Sequence, residues 1–178
     1  MMYRFAAAAL LIVSINFAHA TDIRYMAESL SGADWRYSYL ISNDTLAVGI
    51  EEFTIYFDTS HYSNLAVNSS PAGWNSLVAQ PDSNIPANGF FDSLTFAQGI
   101  APTSILGGFS ATFTYLGSGT PGAQPFEIVD SAFNVIDSRL TQAIPVPEPS
   151  QSWLFAAGLG LLAVTTRPKR SHKLDSSL

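Results

Sequence analysis

The chain has 178 residues, no cysteine, and a formal net charge of −6 from 14 acidic residues against eight lysines and arginines. Between Thr21 and Pro149 the imbalance is stronger, because three arginines face thirteen acids there and lysine is absent. Nucleic-acid binding needs a basic footprint, so this composition excludes it. Disulfides are excluded as well, and the stretch is long enough to form one domain around a core of its own.

The N-terminus predicts a secretory signal peptide at residues 1–20. Arg4 supplies the positive start, an apolar run begins at Phe5, and Ala18-His19-Ala20 fits the small-x-small pattern that signal peptidase cleaves. The apolar run is too short for a comfortable membrane span, which counts against the alternative of a retained helix. We therefore expect export, with Ala18 and Ala20 forming the signal peptidase site and Thr21 starting the mature chain.

Residues 21–142 predict an all-β domain. Trp35–Ile41 and Phe109–Tyr115 alternate with period two, and Phe53–Phe57 is rich in aromatic and β-branched residues. Turn signals separate them from further candidate strands at residues 65–67, 76–79, 90–96, 126–129 and 135–141. Because sustained helical spacing is absent, we expect an antiparallel two-sheet β-sandwich of about 7–9 strands, with an open barrel as the alternative.

A Pro-rich linker is predicted at residues 143–152. Its prolines, Pro145, Pro147 and Pro149, occupy alternate positions. This spacing favours an extended, polyproline-like segment, since each proline fixes its own φ. A peptide of this kind suits the cleft of a membrane protease.

An apolar stretch at residues 153–166 predicts a transmembrane helix, although it is shorter than the roughly 17–25 residues of a full span. Trp153 lies at one end, where an interfacial aromatic residue is expected. The basic tail, residues 167–178, begins with Arg167, Lys169 and Arg170, which predict a cytoplasmic membrane stop. This topology agrees with the export that the signal peptide predicts.

The C-terminal segment resembles a known sorting signal. Val146-Pro147-Glu148-Pro149, the glycines Gly158 and Gly160 in the short span, and Arg167-Pro168-Lys169-Arg170 are similar to the PEP-CTERM signal of Gram-negative bacteria. The resemblance covers about 25 residues, Val146–Arg170, with Pro147, Glu148 and Pro149 as the processing motif. It implies recognition and cleavage by an exosortase, a transpeptidase-like membrane enzyme. It also implies transient anchoring in the inner membrane, followed by delivery to the surface of a species that makes exopolysaccharide and biofilm.

The sequence offers few residues for catalysis. His61 is the one histidine of the mature region, so a zinc site built from histidine and cysteine is not expected. Asp58 and Ser60 lie beside it, but neighbours along a strand do not supply the geometry of a catalytic triad. Glu51 and Glu52 are adjacent and would point to opposite faces of a strand. We interpret them as a solvated strand edge, although two carboxylates could still meet between strands.

Two loops carry weaker signals. Gly117–Gly122 lacks the lysine and the helix of a phosphate-binding loop, so we interpret it as a hairpin loop. Asp82-Ser83-Asn84 offers oxygen ligands that could hold Ca²⁺, but the rest of an EF-hand loop is missing. We therefore expect no cofactor and no metal ligands, with a calcium site as the alternative.

The aromatic residues could form a sugar-stacking platform, but at alternate strand positions they more often fill the core of a sandwich. The set comprises Trp35, Tyr37, Tyr39, Tyr62, Trp74, Phe90 and Phe91. Trp74 is the exception, because it lies in the turn-like context Pro-Ala-Gly-Trp-Asn. We predict that it is exposed and contacts a ligand.

These observations predict a non-catalytic, exosortase-sorted protein of the cell surface or extracellular matrix, with a structural or adhesive role linked to exopolysaccharide and biofilm. The first alternative is a carbohydrate-binding module, with or without calcium, whose partner is exopolysaccharide or another surface glycan. An anionic polysaccharide would be repelled by the acidic domain unless a divalent cation bridged the two. A small glycan-cleaving enzyme is the second alternative.

Overall fold

The computed structural model describes residues 21–85 and 87–145, which form ten β-strands and no helix. The strands are β1 (Asp22–Ser31), β2 (Asp34–Asn43), β3 (Glu52–Phe57), β4 (Tyr62–Ser69), β5 (Asn75–Ala79), β6 (Gly89–Leu94), β7 (Ser104–Tyr115), β8 (Pro125–Val129), β9 (Val135–Leu140) and β10 (Gln142–Ala143). They build two five-stranded sheets, ordered β10-β1-β2-β7-β4 and β5-β6-β3-β8-β9. The predicted all-β sandwich is confirmed, with ten strands in place of seven to nine.

Aromatic side chains fill the space between the two sheets. Along β3, Phe53, Ile55 and Phe57 are buried, whereas the alternate residues are half-buried on the outer face. The ring of Phe53 meets that of Phe109 on β7 edge-on, with centroids 5.0 Å apart. Since β3 and β7 belong to different sheets, this contact joins the two layers, and such ring pairs add about 0.5–1.5 kcal/mol beyond area burial.

The sequence does not predict β1, and the burial pattern explains why. Ile23 and Tyr25 are buried, but from Met26 onward the strand is mostly exposed. Only its first half faces the core, so the alternation is too brief to detect by period. Hydrogen bonding to β2 holds β1 in the sheet, because the two strands pair antiparallel along almost the whole length of β1.

The last strand, β10, is short and pairs parallel with β1. Gln142 lies opposite Arg24 and Ala143 opposite Tyr25, and the amide of Ile144 donates to the carbonyl of Tyr25 at 2.8 Å. The other strand pairs of the described residues are antiparallel. The compact unit that contains the sandwich ends at Ile144, and the predicted domain boundaries stay predictions.

Within residues 21–85 and 87–145, no helix has the length and apolar character needed to cross a membrane. The span predicted at residues 153–166 and the signal peptide predicted at residues 1–20 lie outside the described residues.

Candidate functional site

A cleft of about 220 Å³ opens at one end of the second sheet. We call it the end cleft and define it by five lining residues, Glu51, Glu52, Phe96, Asp130 and Phe133. The strand register brings them together, because Glu52 lies opposite Leu94 at the end of β6 and opposite Val129 at the end of β8. The loops that follow β6 and β8 therefore flank the start of β3.

Phe133 is presented to solvent by a tight turn between β8 and β9. The Oδ1 atom of Asp130 accepts hydrogen bonds from the amides of Ala132 at 2.9 Å and Asn134 at 2.8 Å, which fixes the turn. Phe133 itself has a φ of 62°, in the left-handed region that bulky residues rarely adopt, and its side chain is 74% exposed. A conformation of this kind costs on the order of 1–2 kcal/mol, and here it holds a phenyl ring at the rim of the end cleft.

Phe96 lies on the opposite rim and is 87% exposed. Its loop is fastened on both sides of the ring. Before it, the amide of Thr95 donates to the carbonyl of Glu51 at 2.9 Å, and the hydroxyl of Thr95 donates to the carbonyl of Gly73 at 2.7 Å. After it, Ile100 and Ile50 exchange backbone hydrogen bonds of 2.9 and 3.0 Å.

The carboxylates of the end cleft occupy different electrostatic environments. Desolvation raises the pKa of Glu52, and the nearby charge of Asp92 raises it further. Hydrogen bonds from Asn134 lower the pKa of Asp130, since they stabilise its ionised form. One cleft therefore holds an acid that resists ionisation and an acid that favours it.

The arginines of the described residues are engaged elsewhere. Arg24 contacts Asp22 at 2.9 Å, Arg36 contacts Glu28 at 2.5 Å, and Arg139 contacts Asp137 at 3.1 Å. None of the three lines the end cleft. The negative charge of the cleft thus has no arginine partner in the described part of the chain.

The structure corrects the prediction that Trp74 is exposed. Its side chain is only 8% exposed, and its ring centroid lies 5.9 Å from that of Phe53 and 5.1 Å from that of Phe109. The predicted turn is present, since the amide of Trp74 donates to the carbonyl of Pro71 at 3.1 Å, but the indole that follows it points into the core. The ligand contact that the sequence predicts for Trp74 would require the indole to leave these two rings.

His61 is exposed in the turn before β4. Its Nδ1 atom lies 2.8 Å from Oδ1 of Asp58 and 2.9 Å from Oγ of Ser60. Both partners meet the same ring nitrogen, whereas a triad needs the acid and the nucleophile on opposite nitrogens. The three side chains are close together but are not arranged as a catalytic triad.

Glu51 and Glu52 line one cleft, although the sequence predicts that they point to opposite faces. The reason is that Glu51 precedes β3 and lies outside the regular alternation of that strand.

Another difference concerns Gly117–Gly122, which joins β7 in the first sheet to β8 in the second. It is a crossover between the sheets and not a hairpin loop.

The remaining predictions divide into three groups. Tyr37, Tyr39, Tyr62 and Phe91 are buried in the core, as predicted for the aromatic set, whereas Trp35 and Phe90 are half-buried. Oδ1 of Asp82 already accepts hydrogen bonds from Asn84, and no cluster of three metal-ligating side chains occurs among the described residues; a calcium site stays a prediction. The residues predicted for processing and the membrane stop lie outside the described residues: Ala18, Ala20, Pro147, Glu148, Pro149, Arg167, Lys169 and Arg170.

Sequence reasoning missed the two most exposed rings at the site, Phe96 and Phe133. A signal was present for Phe133, since Asp130-Ser131-Ala132-Phe133-Asn134 separates two predicted strands and a phenylalanine in a turn has no strand face to fill. Phe96 was assigned to the end of a strand, but β6 stops at Leu94. Their meeting across a cleft depends on pairings between distant strands.

The fold resembles several solved structures only distantly. A family 3b carbohydrate-binding module from the biomass sensoring system of Clostridium clariflavum is 14% identical, with a TM-score of 0.41 over 72% of this chain and 99% of that one. A cohesin module from a family 33 glycoside hydrolase of Clostridium perfringens is 10% identical, with a TM-score of 0.44 over 70% and 98%. A GH20 exo-β-N-acetylglucosaminidase of Vibrio harveyi is 11% identical, with a TM-score of 0.36 over 72% of this chain and 19% of that one.

Because these TM-scores are low, the ligands of those proteins cannot be carried over to this chain. A comparison with curated proteins gives no match. The C-terminal segment is different, because a family model described as the PEP-CTERM protein-sorting motif matches residues 145–170. This confirms the resemblance inferred from Pro147-Glu148-Pro149 and the basic residues that follow. The chain carries a PEP-CTERM sorting signal, which implies sorting by an exosortase toward the cell surface.

Proposed function

We propose that this exported, exosortase-sorted protein is a non-catalytic adhesive component of the extracellular matrix, linked to exopolysaccharide and biofilm. In this proposal its sandwich holds a matrix glycan in the end cleft. The observation that carries the proposal is the pair of exposed phenyl rings, Phe96 and Phe133, on two loops that flank carboxylates.

The chemistry of the cleft suits a sugar. The C–H groups on the face of a pyranose carry a partial positive charge and are attracted to the electron-rich face of a phenyl ring. Sugar hydroxyls can donate to the carboxylates of Glu51, Glu52 and Asp130, which accept hydrogen bonds when ionised. The rings lie on loops fastened by backbone hydrogen bonds, so little ordering entropy opposes binding.

The proposal is tested by binding the full chain, in a mild non-ionic detergent, to a panel of bacterial polysaccharides. Phe96→Ala and Phe133→Ala should each weaken binding about tenfold or more, since each removes a ring from the rim. Ile85→Ala is the matched control, because Ile85 is also an exposed apolar side chain but does not line the end cleft. Absence of binding to every glycan, or equal binding by all three variants, would overturn the proposal.

A glycan-cleaving enzyme is the competing candidate, and one observation favours it. Glu52 has a raised pKa and Asp130 a lowered pKa at one cleft, a combination that can supply a general acid and an ionised partner. The purified chain should nevertheless release no reducing ends from any polysaccharide that it binds. Turnover that is lost in Glu52→Gln would establish the enzyme instead.

A further inference from the structure

The end cleft has a property that glycan binding alone does not require, which is uncompensated negative charge. Glu51, Glu52 and Asp130 line it, and no lysine or arginine side chain does. The nearest stretch of sheet adds more acid, because Asp92 and Glu127 flank Thr54 on the outer face of β3. Carboxylates that the strand register places this close together repel one another unless a cation lies between them.

The outer-face acids are bonded to neutral groups and not to cations. The hydroxyl of Thr54 donates to Oδ1 of Asp92 at 2.7 Å, and the hydroxyl of Tyr56 donates to Oε2 of Glu127 at 2.8 Å. These bonds hold the carboxylates in place but leave their charge unneutralised. The acidic surface therefore runs continuously from the cleft onto the face of the second sheet.

The end cleft is also poor in hydrogen-bond donors. Ionised carboxylates accept hydrogen bonds and cannot donate. The hydroxyl of Thr95 already donates to the carbonyl of Gly73. Among the residues that line the cleft, this leaves the hydroxyl of Ser131 to donate to a ligand. A neutral sugar both donates and accepts, so the cleft would leave most of its acceptors unmatched. An ammonium group donates three hydrogen bonds and accepts none, and phenyl faces attract it as well.

We infer that the ligand of the end cleft is a glycan whose sugars carry protonated amines, such as a hexosamine polymer without its N-acetyl groups. This inference rests on the proposed function and names the substrate class of the same site. Its ammonium groups would lie between the carboxylates, and its pyranose faces would lie against Phe96 and Phe133. Charge complementarity selects this partner over neutral and anionic polysaccharides.

The test compares two hexamers of equal length and linkage, one of β-1,4 glucosamine and one of β-1,4 N-acetylglucosamine, against the full chain at about pH 6, where an amine is protonated. The glucosamine hexamer should bind at least about tenfold more tightly at low salt, and added salt should remove most of that advantage. The double variant Glu51→Gln/Glu52→Gln should lose the preference. Glu28→Gln is the control, because Glu28 is paired with Arg36 on the other sheet.

Failure of this inference can be distinguished from failure of the proposed function. Equal binding of the two hexamers, with loss in Phe96→Ala, would overturn the inference and leave the proposed function standing. Binding of neither hexamer and of no other glycan would overturn both. Binding of a polylysine peptide but of no glycan would overturn both as well, and would show that the acidic surface recognises basic protein.

Discussion

Phe133 holds a backbone conformation that glycine would adopt without strain. Replacing it with glycine should relieve on the order of 1–2 kcal/mol of strain, offset in part by the greater entropy of glycine in the unfolded chain. Little burial is lost, because the ring is mostly exposed. We expect Phe133→Gly to unfold at the same temperature or slightly higher, while glycan binding falls about tenfold or more.

Thermal unfolding and binding measured on that one variant check this prediction. A residue kept only for the fold would show the reverse pattern, with lower stability and unchanged binding. Asn64 also has a positive φ, of 54°, but lies away from the end cleft. Asn64→Gly is thus the matched control, and it should leave binding unchanged.

For Trp74 we expect the opposite pattern, in which a substitution lowers stability and leaves binding unchanged. It packs edge-on against Phe109 and close to Phe53, so Trp74→Ala should cost about 3–5 kcal/mol of unfolding free energy. Chemical denaturation measures this loss. Under conditions where the variant stays folded, its affinity for glycan should equal that of the wild type. Weaker binding with unchanged stability would restore Trp74 as a ligand contact.

At the scale of elements, the loop from Thr95 to Ile100 depends on Gly99. A Cβ at this position would collide with the backbone carbonyl of Ile50, which is part of the bridge that anchors the loop. Gly99→Ala should therefore destabilise the protein by roughly 1–3 kcal/mol and displace Phe96, weakening binding too. Gly122→Ala should be nearly neutral, since nothing lies within 4 Å of its added Cβ. Equal melting temperatures for the two variants would contradict this account.

The core-facing, alternating stretches of β2, β3 and β7 were predictable from sequence, whereas the more exposed first half of β7 was not. Their alternation reflects a local rule, because neighbouring side chains point to opposite faces. The pairing of β3 with both β6 and β8 is not local, and it alone places Glu51, Phe96 and Phe133 around one cleft. The fold class could therefore be predicted, but the candidate site could not.

At the scale of the whole molecule, acid excess sets the dependence of stability on pH. Desolvation raises the pKa of Asp92 and of Glu52, so ionising either one costs more in the folded state than in the unfolded state. That cost is present at neutral pH and disappears as pH falls through the raised pKa values. The melting temperature should rise on mild acidification, and Asp92→Asn should raise it at neutral pH.

At lower pH the trend should reverse because of Asp58. Burial alone would raise the pKa of Asp58, but hydrogen bonds from Ser60 and His61 outweigh it and lower the pKa. Stability from this group is present above its unfolded pKa and is lost as pH falls through the lowered value. A melting temperature that falls steadily from neutral pH downward would count against the raised pKa values of Asp92 and Glu52. One that keeps rising at low pH would count against the lowered pKa of Asp58.

The sorting signal makes a prediction for the precursor. Glu148→Ala, or removal of residues 167–178, should leave the chain in the inner membrane, because the exosortase motif or the membrane stop is lost. Intact mass in the inner-membrane, surface and medium fractions measures the outcome. Normal arrival of either variant at the surface would show that these residues are not needed for sorting.

The short pairing of β10 has a mechanical consequence. Two register pairs and the amide of Ile144 hold this strand to β1, whereas β9 is held to β8 by five register pairs. A pull on the chain beyond Ile144 would peel β10 away first. Residues 142–144 would then extend by roughly 3.3 Å each and lengthen the tether by about 10 Å. The strand would therefore detach first under load and leave the folded core intact.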